Sequence, residues 1–380
     1  VAEPGKNAET FATEASSQRT LRIEMLPGLL GDAKKTAQKA EELVNGGGCC
    51  CVILNTVKQA QAVYRELKLT QDQKLLFHAR FTAIDRQRIT EKVLELFGKD
   101  TSNRPEKFVL VATQVVEQSL DVDFDHMIGE IAPIDLLLQR SGREHRHRKR
   151  ENDPILYVLL PGTSDEGKLD FGGTGYVYAE KPLLRTLAIL VGTNELHLPD
   201  DFRKLIERCY GTEEWTQDEI SWDLIKKADQ DWYAETQQLS AQGNRSSLCK
   251  PNRRFFSPVN NDPTGDDSDD GNGWRAKTRL GANDKTAVFI GENDTSAIAS
   301  GELAMNKVRD LYQKSIKLPN YLPLFSPAQG FLPAVEAKGK LKGLILLPLN
   351  IDGSWQGEEK ERRYEISYDK ELGLLVRRMQ

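Results

Sequence analysis

Three arginines recur at three-residue intervals in the segment Gln139-Arg140-Ser141-Gly142-Arg143-Glu144-His145-Arg146. Guanidinium groups never lose their charge and grip phosphate oxygens through a planar fork. A set of them therefore suits stabilisation of a transferring phosphoryl group. On a helix or tight turn this spacing puts Arg140, Arg143 and Arg146 on one face. Gly142, beside the middle arginine, permits close backbone approach. A second polar segment, Thr113-Gln114-Val115-Val116-Glu117-Gln118-Ser119-Leu120-Asp121, follows an apolar run, and loops past strand ends are where function concentrates.

Other groups read more plainly. Arg148, Lys149 and Arg150 extend the basic run, and such runs are ordinarily a solvated face. His145 and His147 have no Cys or acidic partner at ligand spacing, so a metal pair is not indicated. Cys49, Cys50 and Cys51 open an apolar run and read as small buried hydrophobes. Trp215, Trp222, Trp232 and Tyr233 could stack on bases, but their helical spacing favours packing.

The elements around these segments alternate. Strand-length apolar runs at 50–54, 74–78, 107–113, 126–132 and 154–160 are interleaved with amphipathic helices at 56–68 and 82–98. An earlier helix is expected over 33–44, and 21–26 could be a strand. Apolar runs alternating with such helices imply a parallel α/β sheet covered on both faces, with ligand loops at the strands' carboxyl ends. That places Asn55-Thr56, His78-Ala79-Arg80 and Ala112-Thr113-Gln114 at such ends. Beyond about residue 165 the alternation stops at a glycine-rich loop, 171–176, and helical patterns dominate 180–242. An aspartate-rich stretch, 261–273, reads as an exposed or disordered loop. Strand patterns in KTAVFI, KGLILLPLN and RRYEISY follow it.

With 380 residues, two or more domains are expected. The net charge of −5 excludes a histone-like polycation, so any nucleic-acid surface must be local. No apolar run approaches the ~18–20 residues of a membrane span, and the first residues are not a signal peptide. Five cysteines, three of them adjacent, suit a reducing compartment, and a cytoplasmic location is expected.

Q-R-S-G-R-E-H-R (139–146) resembles motif VI of superfamily 2 helicases, and V-A-T-Q-V-V-E-Q-S-L-D (111–121) resembles their motif V. Together with NTVKQAQAVYREL, FHARFTAIDRQRI and APIDLLLQRSGREHRH, they are similar to the helicase part of the CRISPR-associated helicase-nuclease of type I systems. The segments WRAKTRLG, SIKLPNYLPL and YDKELGL resemble that family's C-terminal region, so the likeness covers roughly 30–380. It implies a tail or linker (1–30), a second RecA-like domain (31–165), a helical linker (166–260) and a small α+β C-terminal domain (261–380).

The same resemblance implies roles. Arg143 and Arg146 would be arginine fingers for a nucleotide held on a facing domain, with Gln139 near the nucleotide or its attacking water. Asp121 would lie near the ribose or couple nucleotide state to the fold, and Asp123 reads as a turn or cap residue. Thr113 and Gln114 would touch the DNA backbone, and Arg80 with Asn55-Thr56 would line the single-strand track. Ala79 stands where the family usually has serine, and Ser141 where alanine is common.

No Walker A lysine in its proper context and no D-E-x-H box occur in the sequence, so ATP and Mg²⁺ are expected only in an assembled enzyme. The nearest pattern, Gly271 to Thr278, does not follow a strand. The five histidines (78, 126, 145, 147 and 197) do not form the family's nuclease His-Asp cluster. The expected partners are single-stranded DNA, the first RecA-like and nuclease domains, and an RNA-guided surveillance complex. Two alternatives are a non-catalytic docking module and another superfamily 2 motor such as a repair helicase.

Overall fold

A computed structural model describes residues 18–117, 120–148, 150–162, 169–211, 222–245, 285–291, 298, 303–360 and 362–379. Gly271–Thr278, the aspartate-rich stretch and Trp215 lie outside these residues.

Seven strands form the main sheet: β1 (Arg19–Pro27), β2 (Gly48–Ile53), β3 (Lys74–Phe77), β4 (Lys107–Ala112), β5 (His126–Glu130), β6 (Ile155–Leu160) and β7 (Glu195–Leu198). Their order is β3-β4-β2-β5-β6-β1-β7, parallel throughout except for β7, which runs antiparallel to β1. Side chains alternate along each strand, and both faces are covered. Cys49, Cys51 and Ile53 of β2 join Phe108, Leu110 and Ala112 of β4 in one core, while Cys50, Val52, Val109 and Val111 fill the other. This double burial is why the strands read as continuous apolar runs. Burial also pushes the Cys49 thiol up to about 11, in keeping with a packing role for the triplet.

Helices α1 (Ala33–Leu43) and α2 (Val57–Glu66) pack on the second face through Ala37, Ala40, Ala60 and Val63. Helices α3 (Ala83–Phe97), α4 (Ile134–Ser141) and α5 (Glu180–Leu190) pack on the first. Thr56 and Thr82 cap α2 and α3, each accepting a backbone N–H three residues on. Helices α6 (Phe202–Tyr210) and α7 (Trp222–Arg245) complete the helical region, where Trp232 packs against Tyr210. No helix among the described residues is long and apolar enough to cross a membrane.

The sheet redraws two expected boundaries. Divisions at 30 and 165 both cut through it, because β1 comes from the expected tail and β7 from the expected helical linker. β1 belongs there because it extends the parallel ladder through β6, with Leu21 fully buried. β7 has only four residues, with Leu196 and Leu198 inward, too short an alternation to register as a pattern.

The terminal region contains a four-stranded sheet, β8 (Lys285–Gly291), β9 (Ser315–Leu318), β10 (Val335–Glu336) and β11 (Ile345–Leu349), covered by α8 (Met305–Gln313). A three-stranded sheet, β12 (Ser354–Glu359), β13 (Arg362–Asp369) and β14 (Gly373–Met379), follows. The β13–β14 turn docks on the loop after β3. Leu374 N–H donates to the Arg80 carbonyl at 2.9 Å, and the Gln61 amide donates to the Leu372 and Leu374 carbonyls. Gly373 has φ +70°, and a Cβ there would lie 2.5 Å from the Arg80 carbonyl oxygen. Only glycine satisfies both conditions.

His78 is buried under this turn, stacked on Phe81. Its Nδ1 accepts the Arg80 N–H and its Nε2 meets the Leu372 carbonyl, which together require the neutral ring protonated at Nε2. Burial lowers its pKa to about 4 from 6.5. A depressed folded-state value means the stabilisation is present above pH 6.5 and lost as pH falls towards 4. The full loss is on the order of 3 kcal/mol. His78→Gln should flatten the decline of the urea midpoint between pH 7 and 4. A variant whose midpoint falls as steeply as the parent's would contradict this assignment.

Candidate functional site

The site is built around Arg140, which has no exposed surface. It lies in the last turn of α4, and its guanidinium binds three elements. Nε donates to the Glu117 carboxylate at 2.7 Å, Nη1 to the Glu130 carbonyl at 2.6 Å, and Nη2 to Asn55 Oδ1 at 2.9 Å. Gly129 lies beneath it, where a Cβ would stand 3.4 Å from the side chain. A buried ion pair is tolerated only when its remaining donors are also satisfied, as here. The three arginines therefore do not share a face. The helix ends at Ser141, Gly142 N–H turns back to the Leu138 carbonyl, and only the later two arginines leave the core.

Beyond α4 the chain returns towards the start of β5, where Glu144 and Phe124 form a short parallel bridge. Arg143 is half-buried. Its Nη2 donates to the Glu117 carbonyl at 2.8 Å, while its Nε is buried without a hydrogen-bond partner among the described residues. Arg146 is exposed and pairs with Asp121 at 2.6 Å, which holds that carboxyl below its usual range. His147 Nε2 approaches the same carboxylate at 2.9 Å without hydrogen-bond alignment. Between Arg143 and Arg146, His145 adopts left-handed backbone geometry (φ 52°), fixed by its N–H to Phe124 and its ring to the Asp125 carbonyl. Gln139 is exposed on α4.

Two expectations change here. Asp123 is an ion-pair centre, 1% exposed, accepting the Arg146 N–H and both Arg150 Nη groups. Arg148 and Arg150 are not a solvated face, since both also bind Asp125. Burial raises the Asp125 pKa, but Arg104 and the Cys49 N–H outweigh it and hold the carboxyl well below its usual range. A run of like charges in sequence becomes an alternating network in space because the β4–β5 loop supplies the acids.

The other expected residues gather at the carboxyl ends of β2, β3 and β4, but not all face outward. Asn55 and Thr113 are 4% and 3% exposed. The Asn55 side chain binds the Ile131 carbonyl, Thr174 and Arg140, and so serves the framework, while Thr113 donates its backbone N–H to the Phe77 carbonyl. Thr56, Arg80 and Gln114 are partly open. Lys58, exposed on the first turn of α2, was missed by sequence reasoning, as was the place of the turn Gly172–Tyr176 beside these residues. That turn packs on Asn55 and Thr56, and Tyr178 just beyond it bonds Gln114. The glycine-rich composition was its one visible signal. Among the described residues no cluster of three or more His, Cys, Asp or Glu could hold a metal ion.

Arg140→Met should cost about 3–5 kcal/mol, because it leaves the Glu117 carboxylate buried and unpaired. Adding Glu117→Leu should recover part of that loss in urea unfolding. A double variant no more stable than Arg140→Met would show that Glu117 is not what Arg140 neutralises.

A family model described as the CRISPR-associated nuclease/helicase Cas3, C-terminal, matches residues 46–149. The chain is 33% identical to the CRISPR-associated endonuclease/helicase Cas3 of Thermus thermophilus over 81% of its own length and 35% of that protein's. The crystal structure of T. fusca Cas3-ATP matches with a TM-score of 0.73 and 25% identity, over 97% of this chain and 43% of that one. A chain of a CRISPR RNA-guided surveillance complex, pre-nicking, matches with a TM-score of 0.66 and 24% identity, over 96% of this chain and 45% of that one, and shows the fold alone. The chain thus spans less than half the length of these relatives, and it corresponds to the C-terminal half of the Cas3 nuclease/helicase family.

Proposed function

We propose that this chain supplies the second RecA-like unit and terminal domain of an ATP-dependent single-stranded-DNA translocase acting in CRISPR interference. The observation that carries the reading is the state of Arg143. Its guanidinium is oriented by the Glu117 carbonyl at 2.8 Å, while the residue as a whole is only half-buried. A cation held in place and still partly open to solvent is suited to meet a phosphate from outside. Arg146 is paired with an exposed carboxylate, an exchange that a phosphate can compete for.

In this reading ATP with Mg²⁺ is held mainly by a facing first RecA-like domain. Arg143 and Arg146 approach its phosphates, Gln139 lies near the attacking water, and Asp121, once released by Arg146, is free to meet the ribose. The strand passes Thr56, Lys58, Arg80 and Gln114, which present polar and basic groups to phosphates and so serve any sequence. A nuclease domain and recruitment by an RNA-guided surveillance complex complete the reading. The ATP-bound T. fusca relative and the family match support it.

Arg143→Ala should lower strand-stimulated ATP turnover by about 10³–10⁵ in the ATPase assembled with a first RecA-like domain. Turnover within tenfold of the parent would remove Arg143 from the finger role. Lys58→Ala and Arg80→Ala should each reduce the salt slope of single-strand affinity by roughly one. Unchanged slopes would place the strand elsewhere.

A further inference from the structure

Tyr176 is 96% exposed, although the turn that bears it is anchored on both sides. On one side Phe171 is sunk in the core, and Thr174, 2% exposed, receives the Asn55 side-chain amide at 3.0 Å. On the other, the Tyr178 hydroxyl meets the Gln114 amide at 3.2 Å. Backbone bonds from Thr174 to Phe171, and from Val177 and Tyr178 to Thr174, close the turn. Gly173 rests on Thr56, where a Cβ would come within 3.1 Å of the methyl group. The same residues that frame the proposed track therefore fix the backbone of the turn from which the Tyr176 ring projects.

The neighbours of the ring are as informative as its anchors. Gly172, Gly173 and Gly175 precede it, so no side chain from the turn's glycines covers its faces. The turn also walls a cleft of about 380 Å³ whose lining includes Thr56, Lys58, Glu130 and Asp170. The two carboxyl groups oppose a phosphate inside the cleft, whereas Lys58 at its rim attracts one. An uncharged, flat group suits the turn, and the phosphate suits the rim.

We propose that Tyr176 is a stacking platform for one nucleobase of the single strand, whose adjoining phosphates pass Thr56 and Lys58. This rests on the reading of the carboxyl-end surface as the strand track, and adds to it a contact with a base face. Stacking is tolerant of sequence because every base has a π face, so it fits a motor that must pass any sequence.

The test uses the full chain and two fluorescein-labelled oligonucleotides of equal length, oligo(dT) and an abasic strand with the same phosphates, followed by anisotropy. Tyr176→Ala should weaken oligo(dT) binding by about 5- to 100-fold, and Tyr176→Phe should bind within about twofold of the parent because the ring is kept. The abasic strand should bind the parent and Tyr176→Ala alike. An equal loss on both strands would mean that the turn has collapsed, and would overturn the stacking role. Unchanged oligo(dT) binding by Tyr176→Ala, with Lys58→Ala still weakened, would overturn stacking and leave the track reading intact. No binding of either strand by the parent would overturn both.

Discussion

Burying a guanidinium imposes a strict condition: every donor must find an acceptor, and the charge must find its counterion, or the fold loses several kcal/mol. Arg140 meets that condition through Glu117, Glu130 and Asn55. These acceptors lie at the ends of different strands, so one side chain fixes the relative positions of the β2, β4 and β5 loops. Ligand loops on parallel sheets are otherwise the least constrained part of such a fold. Here the constraint comes from inside, and it leaves Lys58 exposed and Thr56 and Gln114 partly open.

The same hub joins two surfaces. α4 starts at the carboxyl end of β5 and leads the chain back to the level of Phe124 at its start, so Arg143 and Arg146 lie apart from the loops that carry Thr56 and Arg80. Glu117 is common to both sides: its carboxylate holds Arg140 and its carbonyl holds Arg143. In the proposed motor, a shift of the finger segment would reach the strand-facing loops through this one residue. The terminal hairpin adds a third restraint, pinning the loop after β3 through Gly373, Leu374 and the neutral His78.

Much of the sheet was legible because both of its faces are buried. Cys50-Cys51-Val52-Ile53-Leu54 and its parallel neighbours announce themselves as apolar runs, and α1 to α3 show helical spacing after an aspartate or threonine cap. β1 and β7 were harder, since an edge region needs fewer apolar residues and β7 has only four positions. The candidate site was legible in residue type rather than in role. Asn55 and Thr113 were placed in the right loops, but whether a polar side chain at a strand end turns outward or closes a core bond depends on partners far along the chain.

The sequence by itself determined the order of the elements, the parallel α/β class and the arginine-bearing segment, because periodicity and residue chemistry are local properties. Only the tertiary structure decided which arginine is framework and which are available. Arg140, Arg143 and Arg146 have equal spacing and equal charge, and differ only in that Glu117 lies 23 residues before the first and Asp121 25 residues before the last. It likewise turned Arg148 and Arg150 into members of an ion-pair network by bringing Asp123 and Asp125 against them. Electrostatic partnership is set by distance in space, and no local pattern encodes a distance of that kind.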